Sequence, residues 1–398
     1  MGADILSKPV AASIHWQRFS VPFEFPVVFT EALFQVDNLA LRDAVCRLEP
    51  AKCHRVIIFV DEGVLDANPG LPGSIRTYMH HHSDAFDLVA APIPVPGGEK
   101  IKSELRHTDE IQRQLFHHHI DRHSFVIAIG GGAVLDAVGY CAATAHRGLR
   151  HIRVPTTILA QDDSGVGVKN GVNLYGVKNF IGTFSPPFAV LNDIGFVLSL
   201  PERDKIAGMA EAVKVSLIRN AEFFVWLEQN SDRLVTFDRS ALTYLIRRCA
   251  ELHMHQIANG GDPFESGSAR PLDYGHWAAH KLESLTQHEL RHGEAVAIGM
   301  ALDARYSVQA GLLPPGDEER ICALLEFLGF DLWHPAVIQR SSRGELALLE
   351  GLREFREHLG GELTVTLLRS IGTGVEVHEI EEPLMLEAIG WLQSRLSR

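Results

Sequence analysis

Four residues in the second half of the chain have the types and spacing of a metal centre. Glu211 lies in GMAEAVK, His276 and His280 in DYGHWAAHKLE, and His292 in RHGEAVAIGM. Glu211 and Lys214 stand three apart, so both fall on one face of a helix. His276 and His280 stand four apart and also share a face. Two imidazoles and a carboxylate leave one coordination position open, the pattern of a catalytic zinc site. Spacing alone leaves open whether His280 or His292 completes the set. Plainer readings exist for each residue. Among 21 histidines an HxxxH pair arises by chance, His280 fits a hydrogen-bonded core histidine, and Glu294 fits an acid at a helix start.

A second group could hold a nucleotide. FVIAIGGGAVLDAVGY reads as a strand, a turn at Gly130-Gly131-Gly132, and a helix. Glycines let the backbone approach a phosphate, and a helix N-terminus offers free N–H groups and the positive end of its dipole. Triple glycine also serves in plain tight turns, and the spacing is not GxGxxG. Asp61 and Glu62 follow the apolar run VIIFV, where a carboxylate can take a ribose hydroxyl, and Asp136 sits one turn into the glycine-led helix. The chain has only nine lysines, and Lys169, Lys178, Lys205 and Lys214 fall in one short stretch. They fit either helix solubility or a site for an anionic substrate.

These residues need a scaffold, and the pattern predicts an α/β fold. Val56 to Val60, Phe125 to Ile129, Ile152 to Val154 and Ala189 to Leu191 are buried-strand candidates separated by amphipathic stretches. That series implies a parallel sheet covered by helices, a Rossmann-like domain over residues 1–201. Residues 202–398 read as a mostly helical domain. Its periodicities run over Ile206 to Leu227, Ala241 to Ile257, Tyr274 to Leu285, Glu294 to Ala310, Glu318 to Leu328 and Leu384 to Ser397. A short strand pair is expected at Glu362 to Leu368 and Gly374 to His378. The cleft between the domains is the expected site. The histidine runs at His80 to His82 and His117 to His119 are expected on the surface, because three consecutive side chains on a helix point in different directions.

Bulk properties narrow the function. The chain has 398 residues, 46% hydrophobic and 22% charged, as in an ordinary globular protein of two domains. A net charge of −13 makes nucleic acid a poor partner. Five scattered cysteines with no CxxC fit a reducing cytoplasm rather than a disulfide framework. The N-terminus lacks the pattern of a signal peptide, and no apolar run is long enough for a membrane span.

The stretches GGGAVLDAVGY, HRGLRHIRVPTTILAQDDSGVGVKN, GVKNFIGTF, LPERDKIAGMAEAVK, DYGHWAAH and RHGEAVAIGMALD, in this order and spacing, resemble the 3-dehydroquinate synthase superfamily of sugar-phosphate cyclases. The resemblance spans nearly the whole chain. It implies tightly held NAD, one divalent metal (zinc, or cobalt in its place) and a homodimer. It implies Glu211, His276 and His292 as metal ligands, with His280 left as a polar catalytic residue. For NAD it points to Asp61, Glu99, Lys102, Gly131, Gly132, Asp136, Thr156, Thr157, Leu159, Lys178, Phe196 and Ser199. For a sugar-phosphate substrate it points to Asp163, Lys169, Asn179, Lys214 and His280, with Arg147 reaching the phosphate from a partner subunit. The implied reaction takes a hydride from a ring hydroxyl, eliminates phosphate, returns the hydride, opens the ring and closes a carbocycle by an aldol step.

The chain departs from true dehydroquinate synthases where those grip the substrate carboxylate. Their pattern RxxLNxGH becomes SARPLDYGH, with Asp273 in place of Asn and Arg270 shifted beside Pro271. A lysine expected around Gln256 to Gly261 is missing, and paired lysines expected near 356 are Arg356 and Glu357. A carboxylate facing a substrate carboxylate costs several kcal/mol, whereas one facing hydroxyls accepts good hydrogen bonds. Asp273 therefore favours a neutral polyol end, as in sedoheptulose 7-phosphate, and a valiolone-type cyclitol product. The segment GHWAAHKLE is closer to the 2-epi-valiolone or ebo-cluster branch than to 2-epi-5-epi-valiolone synthases, which read nearer GHTWSP. Two other readings are a dehydroquinate synthase with an unusual carboxylate grip and a polyol dehydrogenase. The dehydrogenases usually begin their metal set with Asp rather than Glu.

Overall fold

The apolar runs of the first half become the strands of a parallel sheet in the computed structural model, which describes residues 14–175, 177–264, 272–341, 343–358 and 363–397. The strands are β1 (Val27–Thr30), β2 (His54–Asp61), β3 (Phe86–Leu88), β4 (Ile93–Val95), β5 (Phe125–Gly130) and β6 (Arg150–Pro155). A hairpin of β7 (Lys169–Leu174) and β8 (Val177–Phe184) follows, then β9 (Ala189–Asp193). The order across the sheet is β1-β9-β6-β5-β2-β3, with β4 also pairing β2. Alternate residues of β2 and β5 feed two separate cores. Ile58 and Ile127 pack toward the Ala40–Cys46 and Leu71–His81 helices, while Ile57 and Val126 pack toward Leu105–His117 and Gly132–Thr144. Burial on both faces is why these strands read as continuous apolar runs.

Between β2 and β5 the chain reverses its direction of winding. β2 neighbours β3 and β4 on one side and β5 on the other, with Val60 paired to Ile129. Their carboxyl ends, Asp61 and Gly130, thus flank the crevice where open α/β sheets bind ligands. The glycines belong to that geometry. A Cβ on Gly97 would fall 2.5 Å from Asp61 Oδ1, and one on Gly130 would fall 2.8 Å from Val134 Cβ.

After β9 the chain is mainly helical. The expected helix over Ile206 to Leu227 is three helices, Glu202–Gly208, Ala210–Arg219 and Ala221–Gln229. Asn220 breaks the run: it is extended, and its side chain accepts the Phe223 amide as an N-cap. Arg239–Asn259, His276–Leu285, His292–Gln309, Asp317–Phe327 and Glu382–Ser394 match the other expected helices within a few residues. The strand pair is β10 (Val365–Ser370) with β11 (Thr373–Val377); Glu362 lies outside the described residues. One side of the second core is built on a close helix contact. Gly275, at φ 77°, lies where its Cβ would meet the Met300 backbone nitrogen at 2.8 Å.

One surface expectation needs correction. His82 is buried, because its Nε2–H donates to the Val36 carbonyl at 2.9 Å; His80 and His81 are exposed. Lys205 Nζ lies over the Phe237 ring at 5.0 Å. All five cysteines are free, and no described helix is long and apolar enough to cross a membrane.

Candidate active site

Three helix starts converge on one point. Glu211 stands in the first turn of Ala210–Arg219, and His276 and His292 are the first residues of their helices. The ligand atoms of these three residues all lie within 4.8 Å of one another. Glu211 Oε1 is 3.7 Å from His292 Nε2 and 3.9 Å from His276 Nε2, too far for hydrogen bonds and close enough for one cation to draw all three onto itself. Glu211 is buried, and its Oε1 accepts no hydrogen bond, an orphan that a cation would satisfy. Burial alone would raise its pKa; Lys214 and then His292 outweigh that and hold it at about 2. Lys214, also buried, ion-pairs with Glu211 Oε2, and its ammonium is stabilised by Glu211, Asp163 and Asp273 against the burial that would discharge it.

The imidazoles are oriented by their other nitrogens. His276 Nδ1 lies 3.1 Å from the Tyr274 carbonyl, to which it donates, leaving Nε2 as a lone pair toward Glu211. Burial, with Lys214 and His292 nearby, keeps His276 neutral. His292 Nδ1 lies 3.2 Å from Glu283 Oε2. Burial would lower the His292 pKa, but Glu283 and Glu211 together lift it to about 9. His280 sits one turn beyond His276, its ring centroid 5.5 Å from that of His276 and 6.3 Å from that of His292.

Next to this cluster lies the Ala160–Ser164 π-turn, which carries Asp163. Asp163 Oδ1 accepts from His253 Nδ1 at 2.8 Å, and this contact overcomes the effect of burial to keep the carboxylate ionised. Its neighbour Asp162 is the opposite case. Burial first, then the charges of Asp163 and Glu211, push its pKa well up. The loop from here to Lys169 is tied down by Arg153 of β6, fully buried. Its guanidinium donates to the carbonyls of Gly165 at 3.0 Å, Gly167 at 2.8 Å and Lys169 at 2.9 Å, and to Asn170 Oδ1 at 2.8 Å.

The nucleotide candidates gather at the sheet crevice. Gly131 caps the Gly132–Thr144 helix, and a Cβ on Gly132 would fall 2.6 Å from Ser164 Oγ. Thr156 Oγ1 and Ser164 Oγ are buried there without partners, and Thr157 Oγ1 accepts the Ala160 amide at 3.1 Å beside Leu159. A charged network leads away from the turn. Buried Lys102 donates to Asp136 Oδ2 at 2.7 Å and to Asn179 Oδ1 at 2.5 Å. Lys178 Nζ lies 3.0 Å from Glu283 Oε1 and 3.8 Å from Glu99 Oε1. Ser199 Oγ donates to the Phe196 carbonyl at 2.8 Å, while Asn68, just past the helix that Asp61 caps, reaches Ser199 at 3.4 Å. The backbone amides at the start of the Gly132–Thr144 helix fit the phosphates of a dinucleotide.

Two expected residues stand apart. Arg147 is exposed at the far end of the glycine-led helix, whose 13 residues put it roughly 20 Å from Gly131. Arg270 lies outside the described residues. Asp273 is half-buried, and its carbonyl accepts the His276 amide at 3.0 Å. Glu283, His253 and Arg153 are absent from the sequence expectations. Glu283 could have been found at i+7 from His276 on the same helix face; nothing local marks the other two, which act across long separations.

Comparison with known proteins fits this geometry. The 3-dehydroquinate synthase N-terminal family matches residues 92–207 and the 3-dehydroquinate synthase C-terminal family residues 208–347. A 3-dehydroquinate synthase of Halorhodospira halophila is 37% identical over 345 residues, 83% of this chain and 95% of the relative. A 2-epi-5-epi-valiolone synthase from Streptomyces hygroscopicus subsp. jinggangensis, solved with NAD+ and Zn2+ bound, superposes with a TM-score of 0.82 at 27% identity, covering 96% of this chain and 100% of that one. A 2-deoxy-scyllo-inosose synthase complexed with carbaglucose-6-phosphate, NAD+ and Co2+ follows at 0.73 and 25%, covering 92% and 96%. Glu211, His276 and His292 meeting beside a glycine-led nucleotide crevice, on a chain this similar throughout, place it in the 3-dehydroquinate synthase family of sugar-phosphate cyclases.

Proposed function

We propose that the protein converts sedoheptulose 7-phosphate to a valiolone-type C7 cyclitol, 2-epi-valiolone, with release of phosphate. The observation that carries the reading is the Asp273 carboxylate placed near Lys214. Three carboxylates, those of Glu211, Asp163 and Asp273, act on that one ammonium. A substrate carboxylate entering beside Asp273 meets a like charge, and that contact costs several kcal/mol. A hydroxymethyl end instead donates hydrogen bonds to Asp273.

The residues fit the groups the family relatives carry. Glu211, His276 and His292 would hold a divalent ion, zinc or cobalt, which lowers the pKa of a bound hydroxyl. Asp61, Glu99, Lys102, Gly131, Gly132, Asp136, Thr156, Thr157, Leu159, Lys178, Phe196 and Ser199 would hold NAD, which accepts and returns a hydride. The chain's own groups do the rest. Lys214 and Asp163 hold ring hydroxyls from opposite charges and fix the reacting carbon in one orientation. His253 keeps Asp163 ionised and aimed. Lys169 and Asn179 face the phosphate end. His280 exchanges a proton with the departing phosphate oxygen. Arg147 adds its guanidinium from a second copy of the chain in a homodimer; its own helix carries it away from its own glycine turn.

The test is an assay of purified protein with NAD+, Zn2+ and sedoheptulose 7-phosphate. The reading expects stoichiometric phosphate, a phosphate-free carbocycle identified by NMR, and no net NADH. Accumulating NADH without phosphate would make it a polyol dehydrogenase. A second reading, 3-dehydroquinate synthase, is favoured by the name of the relative at 37% identity.

A further inference from the structure

Glu283 touches both halves of the site. One oxygen, Oε2, lies 3.2 Å from His292 Nδ1, and the other, Oε1, lies 3.0 Å from Lys178 Nζ. The carboxylate is buried, with 5% of its side chain exposed. The two contacts come from separate parts of the fold: Lys178 rides on β8 of the hairpin, and Glu283 and His292 belong to two helices of the second half. The link continues outward. Lys178 lies 3.8 Å from Glu99 Oε1, and Glu99 Oε2 accepts from Asn173 Nδ2 at 3.1 Å.

We propose that Glu283 is a positioning residue that clasps the hairpin to the metal-ligand helices and makes NAD and metal binding mutually reinforcing. The inference rests on the proposed roles of Lys178 and His292 in holding the cofactor and the metal. The physical argument is one of shared ordering. A carboxylate has two oxygens on a rigid plane, so fixing one fixes the other. A dinucleotide that immobilises Lys178 immobilises Oε1 of Glu283, and Oε2 then holds the His292 ring with Nε2 turned toward Glu211. A metal that immobilises His292 sets Lys178 in the reverse direction. The ordering cost is paid once, by whichever binds first, and the second binds more tightly.

The experiment measures Co2+ affinity by competition with a chelating dye, with and without saturating NAD+, and NAD+ affinity with and without Co2+. In the wild-type protein each should tighten the other by the same factor, about tenfold. Glu283→Gln keeps the shape and loses the charge on both contacts. It should abolish the coupling and weaken Co2+ alone by about 10- to 100-fold. Lys178→Met should abolish the coupling at saturating NAD+ while weakening Co2+ without NAD+ less than Glu283→Gln does. That variant separates a clasp from simple support of His292, because it leaves the Glu283–His292 contact intact. Wild-type protein that binds both ligands independently would overturn the clasp alone, as would Lys178→Met with undiminished coupling. Failure to bind Co2+ or NAD+ at all would overturn the functional reading beneath it as well.

Discussion

Gly299 lies so close to Gly275 that a Cβ at position 299 would fall 2.1 Å from the Gly275 carbonyl oxygen. The contact is backbone to backbone, so no side chain can move aside. It brings the start of His276–Leu285 against the middle of His292–Gln309, the two helices that carry the imidazoles. Asp303 completes the joint, accepting from the Gly275 amide at 3.0 Å and from Trp277 Nε1 at 2.8 Å. Gly299→Ala should therefore lower stability by about 1–3 kcal/mol, as overpacking does. It should also weaken metal binding, read by thermal melting and metal titration on the same sample. Normal metal affinity at a lowered melting temperature would mean that the joint does not set the imidazole spacing.

The histidines divide by role. His292→Ala should lose the metal, since it removes an imidazole from a set of three ligands. His280→Ala should keep stoichiometric metal but lose about 10²- to 10⁴-fold in kcat, the usual contribution of a proton-transfer group. Metal analysis of both purified variants checks this. Metal loss from His280→Ala with retention in His292→Ala would exchange their roles.

Arg153 is the structural anchor of the Asp163–Lys169 loop. Arg153→Met should leave three carbonyls and Asn170 Oδ1 without their donor, a loss of more than about 3 kcal/mol. Chemical denaturation measures it. A variant that retains wild-type stability would mean that the loop carbonyls find other donors.

Arg147 should act across a subunit interface. Arg147→Ala and Lys214→Met should each be inactive alone. Co-expression of differently tagged copies, with isolation of the mixed species, should restore partial activity, because one site then has both residues. Mixed species as inactive as either parent would contradict a contribution from the partner subunit.

Asp273 should act on selectivity rather than on chemistry. Asp273→Asn removes one of the carboxylates near Lys214. It should move the preference toward a carboxylate-bearing heptulosonate phosphate by at least about tenfold, the equivalent of roughly 1.4 kcal/mol. The ratio of kcat/KM for the two substrates reads this directly.

Much of this scaffold was legible because burial leaves periodic marks. The strands β2, β5, β6 and β9 are buried on both faces and stand out as apolar runs, and the helices after Arg239 show their periodicity. The three-helix break at 202–229 was hidden because apolar residues continue through it; Asn220 was the visible sign. The β7–β8 hairpin escaped notice because one face is exposed, at Tyr175, Phe180 and Phe184 among others, so its pattern resembles no buried strand. In the site, Glu211, His276 and His292, which the fold brings together, were readable as a candidate ligand set because family motifs surround them. Glu283 carried a local sign, a helix face shared with His276, whereas His253 and Arg153 did not, since each works through a partner elsewhere in the sequence: Asp163 for His253, the Gly165–Asn170 segment for Arg153.

The most direct test of the account is a comparison of phosphate release by the wild-type protein, with NAD+ and Zn2+ or Co2+, from sedoheptulose 7-phosphate and from 3-deoxy-arabino-heptulosonate 7-phosphate. The account predicts release from the first and little from the second, because the Asp273 carboxylate repels the charged end. Release from the second alone would mean that Asp273 does not face the substrate as an anion, and that the protein is a 3-dehydroquinate synthase.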